Sequence, residues 1–161
     1  MASHSENRAW ATDVVDEAAV GNLAARFASV MELPAVLYLR GDLGAGKTTF
    51  ARAYIQSLGY SGYVKSPSYG LLETYEASGQ KILHLDLYRI EDPEELEYLA
   101  IRDLYDEGSV MMVEWPDRGL NHLPAPDLVL EFGEKNEVRF VVCLTCSERG
   151  RRVAERLEGG R

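Results

Sequence analysis

Eight consecutive residues in the first third of the chain have the types and spacing of a phosphate-binding loop. Residues 41–48 read Gly-Asp-Leu-Gly-Ala-Gly-Lys-Thr and fit the pattern G-x-x-x-x-G-K-[ST]. Glycines let the backbone curl closely around phosphates, so that successive N–H groups point inward. In such a loop Lys47 reaches the β- and γ-phosphates, and the Thr48 hydroxyl binds Mg²⁺. The predicted nucleotide-binding residues are Gly41, Asp42, Leu43, Gly44, Ala45, Gly46, Lys47, Thr48 and Thr49.

The residues on either side of this loop have the patterns of a strand and a helix. Residues 35–39 form a short apolar run rich in β-formers, which predicts a buried strand that ends at the loop. Apolar residues then recur at helical spacing from Phe50 to Leu58, and Gly59 is a natural helix stop. A strand, a glycine loop and a helix are the context that a phosphate-binding loop requires.

Two carboxylates follow apolar runs elsewhere in the chain. Asp86 comes directly after residues 82–85, and Glu114 comes directly after residues 110–113. In an open α/β sheet, ligands collect at the carboxyl ends of the strands, beside the nucleotide loop. Both acids are therefore predicted to reach Mg²⁺ or its water ligands, and the alternative is an ordinary acid in a surface loop.

Length and composition predict one soluble domain. The 161 residues suit a single α/β domain over 1–161, with residues 1–10 expected as a flexible N-terminal segment. The expected architecture resembles that of P-loop NTPases, with a mixed, mostly parallel sheet, flanking helices and β-hairpins. Hydrophobic periodicity predicts a first helix over 16–31, with Asp16 and Glu17 at its N-terminus.

The rest of the chain alternates between strand and helix patterns. Residues 69–75 and 81–88 flank Ser78-Gly79 as a predicted β-hairpin, and residues 109–113 form another strand. Asp92 and Pro93 are expected to cap and open a helix. Further predicted elements are core-facing Leu96, Leu99 and Leu104, a hairpin of 128–132 and 138–144 around 133–136, and a closing helix over 148–157.

Net charge and cysteine content limit the possible binding partners and the possible cellular compartment of the protein. A formal net charge of −9 disfavours direct binding to nucleic acid, so any role on nucleic acid is expected to be indirect, through a protein partner, and no direct DNA binding is expected. Long apolar stretches and a signal-peptide core are absent from the sequence, which favours the cytoplasm and no membrane contact. Cys143 and Cys146 are expected to line the core, and the alternative is a redox pair or half a zinc site.

Several separate motifs together resemble the TsaE family, formerly called YjeE. The similarity extends from the first helix to the closing helix. It is carried by the glycine loop through Thr49 and by Val-Lys-Ser-Pro-Ser-Tyr at 64–69, His-Leu-Asp-Leu-Tyr-Arg at 84–89, Asp-Pro-Glu-Glu-Leu-Glu at 92–97 and Glu-Trp-Pro at 114–116.

The resemblance implies a function that composition and spacing do not show. Members of the family are small bacterial P-loop ATPases that act with TsaB and TsaD to make threonylcarbamoyladenosine beside the anticodon of tRNA. The implied activity is Mg²⁺-dependent ATP hydrolysis, weak alone and stimulated by these proteins, with tRNA engaged only through the complex. ATP or ADP and Mg²⁺ are the implied ligands.

The resemblance also assigns roles to individual residues. Lys47, Asp86 and Glu114 are the implied catalytic residues, and Thr48, Asp86 and Glu114 are the implied metal-side residues. Trp115 is implied near the nucleotide, with a core aromatic as the alternative. Ser66, Pro67, Ser68 and Tyr69 resemble a switch segment, with a tight turn as the alternative. His84 and Arg89 are expected to support Asp86 or to face a partner.

The first helix departs from the family pattern. The chain has Val20 where family members often have a threonine, so a hydroxyl contact to the nucleotide is lost there. Two other classes of function stay open at this point: a small-molecule kinase, and a switch protein that binds ATP or ADP without turnover. The acidic segment 89–108 disfavours the kinase, because an anionic substrate would be repelled.

Overall fold

The computed structural model describes residues 5–68 and 70–159, and these residues form one seven-stranded sheet. The strand order is β1-β7-β6-β2-β5-β4-β3. The strands are β1 Asn7–Asp13, β2 Ala35–Arg40, β3 Leu72–Ala77, β4 Gln80–Asp86, β5 Ser109–Glu114, β6 Leu128–Lys135 and β7 Val138–Thr145.

The centre of the sheet is parallel and its edges are antiparallel. Strand β2 pairs in parallel with β5 on one side and with β6 on the other, and β4 pairs in parallel with β5. The pairs β3–β4, β6–β7 and β1–β7 are antiparallel. The predicted α/β class with a mixed, mostly parallel sheet is confirmed.

Helices cover both faces of this sheet. The described helices are α1 Glu17–Val30, α2 Lys47–Ser57, α3 Glu95–Tyr98, α4 Ile101–Leu104 and α5 Glu148–Gly159, with 3₁₀ turns at Pro116–Arg118 and Leu120–His122. One apolar cluster lies beneath α1, α2 and α5, and a second lies beneath α3 and α4. None of the described helices is long and apolar enough to cross a bilayer.

The first helix begins where the sequence predicts it. Asp16 is its N-cap, and its Oδ1 accepts a hydrogen bond of 2.8 Å from the backbone N–H of Ala19. The helix packs against α2, so that Phe27 and Phe50 meet edge to face with ring centroids 5.5 Å apart. This contact sets the direction of the helix that follows the glycine loop.

The N-terminal segment is a correction to the sequence prediction. Residues 7–10, expected to be flexible, belong to β1, which pairs with β7 from Asn7 to Asp13. Trp10 explains the difference, because it is buried against Phe27 and donates from Nε1 to the backbone oxygen of Ala154. A buried aromatic side chain supplies the apolar area that an edge strand needs.

The two β-hairpins are present, and one of their turns is displaced. Ser78 and Gly79 form the first turn with positive φ values of 49° and 75°, as predicted. The second turn lies at Asn136 and Glu137 rather than across residues 133–136. Gly133 stays within β6 opposite Phe140, whose ring lies where a β-carbon on Gly133 would be. The Phe140 ring thus covers Gly133, and the pairing of β6 with β7 continues past this glycine to Lys135.

The helix expected to open at Asp92 and Pro93 is also corrected. Asp92 caps a turn through a 3.0 Å hydrogen bond from the Glu94 N–H, but α3 begins only at Glu95. Ala100, with a left-handed φ of 50°, then separates α3 from α4. The break lets Leu96 and Ile101 both reach the second apolar cluster, against which Leu99 and Leu104 are partly buried.

Candidate nucleotide-binding site

Three strands bring the predicted site residues to one edge of the sheet. In the pairing register Glu114 at the end of β5 lies opposite Leu39 of β2 and Asp86 of β4. The glycine loop leaves β2 at this same edge. Strand β2 has a parallel neighbour on each side, so the site forms at the switch point where ligands bind in open α/β sheets.

The loop needs its glycines for backbone geometry. Gly44 and Gly46 have φ values of 76° and 113°, which are unfavourable for residues with a β-carbon. Gly41 has a φ of 148°, and a β-carbon there would lie 2.7 Å from the backbone oxygen of Phe132. Gly46 is the N-cap of α2, so the helix dipole and free N–H groups face the loop.

Lys47 is nearly enclosed at the start of α2. The residue is only 4% exposed, and its Nζ donates a hydrogen bond to the carbonyl oxygen of Gly41. Nζ also lies 3.7 Å from the centroid of the Trp115 ring. Burial lowers the pKa of Lys47, whereas the carboxylates of Glu114, Asp86 and Asp42 oppose that shift. A positive charge is thus held close to three acids.

Thr48 and Glu114 form the centre of the site. Thr48 Oγ1 lies 2.8 Å from Oε1 and 3.0 Å from Oε2 of Glu114. The His84 ring approaches the same carboxylate, with Nε2 2.7 Å from Oε2. His84 was expected to support Asp86 or face a partner, and the structure instead pairs it with Glu114. An imidazole is long enough to cross from β4 to the neighbouring strand.

Asp86 is held by a different pair of groups. Its Oδ1 accepts from the Tyr88 N–H at 3.0 Å, and its Oδ2 accepts from the Ser68 hydroxyl at 3.0 Å. Ser66 Oγ lies 2.8 Å from Ser68 Oγ, so both hydroxyls of the predicted switch segment connect to this acid. Pro67 is buried beside them, and Tyr69 lies outside the described residues. The switch assignment stays a prediction, now with a defined route to Asp86.

Trp115 adopts an unusual backbone conformation directly after Glu114. Its φ of 56° and ψ of 50° are left-handed, which costs a residue other than glycine about 1–3 kcal/mol. The ring packs on Tyr88 with centroids 5.0 Å apart, and the Arg118 guanidinium lies 5.1 Å from the Tyr88 ring and 5.7 Å from the Trp115 ring. These side chains form a wall over Lys47. Trp115 is also partly buried against the second apolar cluster, so its place near a nucleotide stays a prediction.

A cleft of about 620 Å³ joins these groups. Six of the nine predicted loop residues line it together with Trp115, whereas Gly41, Asp42 and Ala45 do not. Sequence reasoning missed Glu17 and Tyr88 and gave Arg89 only a general role, because helix caps and aromatic neighbours carry no phosphate-loop pattern. The lining comprises Glu17, Leu43, Gly44, Gly46, Lys47, Thr48, Thr49, Ser68, Asp86, Tyr88, Arg89, Glu114 and Trp115.

The donor set fits a hard cation held jointly with a phosphate. Thr48, Asp86 and Glu114 offer only oxygen atoms, which Mg²⁺ prefers. Among the described residues, His, Cys, Asp and Glu side chains nowhere gather in threes as a protein-only metal site. Mg²⁺ is usually bound by one or two carboxylates together with substrate phosphates, so a cation here would depend on a nucleotide.

The two cysteines lie away from this cleft. Cys143 is buried in the first apolar cluster and Cys146 is packed against the second. Burial raises the pKa of the Cys146 thiol to about 11, to which the nearby Glu6 and Asp127 also contribute. Among the described residues, neither thiol belongs to a group of three or more His, Cys, Asp or Glu side chains that could hold a metal ion. Their positions favour core-lining thiols over half a zinc site.

A glycine loop between a central parallel strand and a helix, facing carboxylates on adjacent strand ends, defines this chain as a P-loop α/β protein. The family model described as "Threonylcarbamoyl adenosine biosynthesis protein TsaE" matches residues 14–141. The chain belongs to the TsaE family.

Individual relatives agree with this assignment. A Haemophilus influenzae protein named "tRNA threonylcarbamoyladenosine biosynthesis protein TsaE" is 37% identical over 145 residues, covering 87% of this chain and 92% of the relative. A Rickettsia conorii protein of the same name is 40% identical over 95 residues, covering 58% and 53%. The crystal structure of YdiB from Bacillus subtilis has a TM-score of 0.78 over 98% of this chain and 99% of that one. At 24% identity this last similarity shows the shared fold.

Proposed function

We propose that this chain is a Mg²⁺-dependent ATPase that supports threonylcarbamoylation of the adenosine beside the anticodon in tRNA. The observation that carries the proposal is the contact of Thr48 with Glu114, 2.8 Å long, beside Lys47 at the end of the glycine loop. Membership in a family named for threonylcarbamoyl adenosine biosynthesis supports the pathway. The proposed ligands are ATP or ADP and Mg²⁺.

Lys47 supplies the positive charge at the phosphate end of the site. Its present partners are a neutral carbonyl group and an aromatic ring. A phosphate oxygen carries negative charge whereas the Gly41 carbonyl oxygen is neutral, so Nζ is expected to leave Gly41 for a phosphate oxygen. Together with the loop N–H groups and the α2 dipole, it stabilises charge that develops on the transferred phosphoryl group.

The metal side of the site is formed by Thr48, Glu114 and Asp86. When bound, Mg²⁺ neutralises charge on the β- and γ-phosphates. Thr48 donates its one hydroxyl proton to Glu114 and keeps lone pairs for the cation. Asp86 is 5% exposed and accepts two hydrogen bonds. Its proposed role is that of the second metal-side acid, which also orients the attacking water by accepting a hydrogen bond from it.

Protein partners are proposed to complete the site. Leu43 at the tip of the loop is 65% exposed, which leaves one side of the nucleotide uncovered. A partner that covers this side excludes water and adds charge, so turnover is expected to be slow alone and stimulated by TsaB and TsaD. The net charge of −9 favours contact with tRNA through those proteins. A cytoplasmic location is proposed from the tRNA-modification pathway for which the family is named.

Phosphate release from ATP tests the proposal directly. The assay is run with and without TsaB and TsaD, with Mg²⁺ present or chelated. We expect slow Mg²⁺-dependent release that the partners accelerate. A phosphorylated metabolite in place of free phosphate would indicate a small-molecule kinase. Tight ATP or ADP binding without turnover under any of these conditions would indicate a non-catalytic switch.

A further inference from the structure

We infer that His84 is a positioning residue that fixes the Glu114 carboxylate on the metal side of the nucleotide site. The inference rests on the proposed function, because it concerns how that same site is held. His84 lies on β4 and Glu114 ends the neighbouring strand β5. Nε2 of the ring is 2.7 Å from Oε2 of the carboxylate, and the two residues are 0% and 2% exposed.

The direction of this hydrogen bond follows from the acceptor. An ionised carboxylate only accepts, so the ring donates from Nε2–H to Glu114. Glu114 receives its other hydrogen bond from Thr48, which lies in the first turn of α2 rather than in the sheet. When Thr48 turns toward a ligand, the bond from His84 is the one that still holds the carboxylate against the sheet.

The second ring nitrogen of His84 indicates that this histidine serves more than packing. Nδ1 of His84 is buried and has no hydrogen-bond partner among residues 5–68 and 70–159. Buried polar atoms are normally paired, and a histidine placed only for packing could be replaced by an apolar residue at no such cost. The adjacent residues Leu83 and Leu85 are fully buried, so the strand supports apolar side chains. The contact with Glu114 is therefore what this position provides.

The effect expected from His84 is on metal affinity. Partners that hydrogen-bond a metal-ligating side chain typically change metal affinity about 10- to 100-fold when they are removed. His84 does not line the cleft, so nucleotide binding without metal should change little. This separation of metal-dependent from metal-independent binding distinguishes a positioning role from general destabilisation.

The test is calorimetric binding of the non-hydrolysable ATP analogue AMP-PNP, titrated with Mg²⁺ and repeated in chelator. His84→Leu removes the donor, whereas His84→Gln places an amide N–H near the Nε2 position. We expect His84→Leu to weaken Mg²⁺ affinity about 10- to 100-fold, with His84→Gln close to the parent chain. Tyr54→Phe is the matched control, because it removes the buried Tyr54 Oη–Gln80 bond of 3.0 Å away from the carboxylates. It should leave Mg²⁺ affinity unchanged.

The outcomes separate this inference from the proposed function. If Mg²⁺ fails to strengthen AMP-PNP binding to the parent chain, the proposed function is wrong. If the parent depends on Mg²⁺ and folded His84→Leu depends on it equally, or if Gln loses as much affinity as Leu, the positioning role is overturned. If His84→Leu does not fold, His84→Asn, whose shorter amide cannot reach Glu114, replaces it. Equal Mg²⁺ affinity in the Asn and Gln variants would then overturn the inference.

Discussion

Thr48 and Glu114 are joined across the site, with Thr48 Oγ1 2.8 Å from Oε1 and 3.0 Å from Oε2 of the carboxylate. The contact connects the first turn of α2 to the carboxyl end of β5. It therefore brings the glycine loop and the metal-side acid into one hydrogen-bonded group before any ligand is present. Both residues keep oxygen lone pairs that a cation can use.

Replacing Lys47 by alanine should abolish the proposed hydrolysis. The substitution removes the charge that the loop aims at the phosphates, and losing one such donor costs about 100-fold or more in rate. Phosphate release in the partner-supplemented assay measures the effect. Lys135→Ala, at the exposed tip of the second hairpin, is the control and should leave the rate unchanged. Full activity of Lys47→Ala would rule out the P-loop mechanism.

Glu114→Gln tests the metal-side carboxylate with minimal change of shape. The variant keeps the side-chain length but loses the negative charge, so Mg²⁺-dependent hydrolysis should fall about 100-fold. Asp117→Asn makes the same chemical change three residues later, where the side chain is 82% exposed, and should have little effect. Comparable losses in the two variants would show that net charge, rather than position in the site, matters.

Ser68→Ala should slow turnover without preventing nucleotide binding. It removes the 3.0 Å hydrogen bond to Asp86, and a bond to a charged group is worth about 1.5–3 kcal/mol, or about 10- to 150-fold in rate if it acts in the transition state. Ser68→Thr, which retains the hydroxyl, should keep the rate. Steady-state kinetics on both variants checks this, and equal rates for Ala and Thr would remove the switch segment from the mechanism.

Trp115 should report ligand binding through its fluorescence. Nζ of Lys47 lies 3.7 Å from its ring centroid, and movement of the lysine to a phosphate would remove that cation–π contact. In a Trp10→Phe variant, which leaves Trp115 as the emitting indole, ATP with Mg²⁺ should change the emission. The complementary Trp115→Phe variant should give no change, because Trp10 is buried in the first apolar cluster against Phe27 and does not line the cleft. Unaltered emission of Trp115 at saturating nucleotide would indicate that Lys47 stays on the Trp115 ring and does not move to a phosphate.

Alkylation should distinguish the Cys146 thiol in the folded chain from an ordinary thiol. Its pKa of about 11 lies above the usual value of 9.0, so less thiolate exists at every pH below 11. At pH 8 the thiolate fraction, and hence the reaction with iodoacetamide, should be about 100-fold lower than in urea-unfolded chain. The rate should keep rising with pH beyond 9. A plateau near pH 9 in the folded chain would contradict the raised pKa.

Local patterns were sufficient for most of the fold. The capping side chain of Asp16, the Ser78-Gly79 turn and the apolar run of β2 each act within a few residues, and the structure contains all three. Predictions were wrong where a contact outside the local run decided the outcome. Trp10 anchors β1 through Phe27 and Ala154, which lie far away in the chain. Phe140 keeps Gly133 within its strand from across the hairpin, a contact that exists only once β6 and β7 are paired.

The sequence by itself determined the groups that could bind a phosphate and a cation, because each depends on local backbone geometry or residue chemistry. These groups are the glycine loop, the lysine and threonine that end it, and the two acids that follow apolar runs. Only the tertiary structure decided which groups meet. Parallel pairing aligns Asp86 with Glu114, and the His84 side chain then contacts Glu114 on the neighbouring strand. Ser68, in the turn before β3, donates a hydrogen bond to Asp86. The left-handed backbone at Trp115 turns its ring over Lys47. Such relations depend on strand order and packing, which bring together residues far apart in the chain.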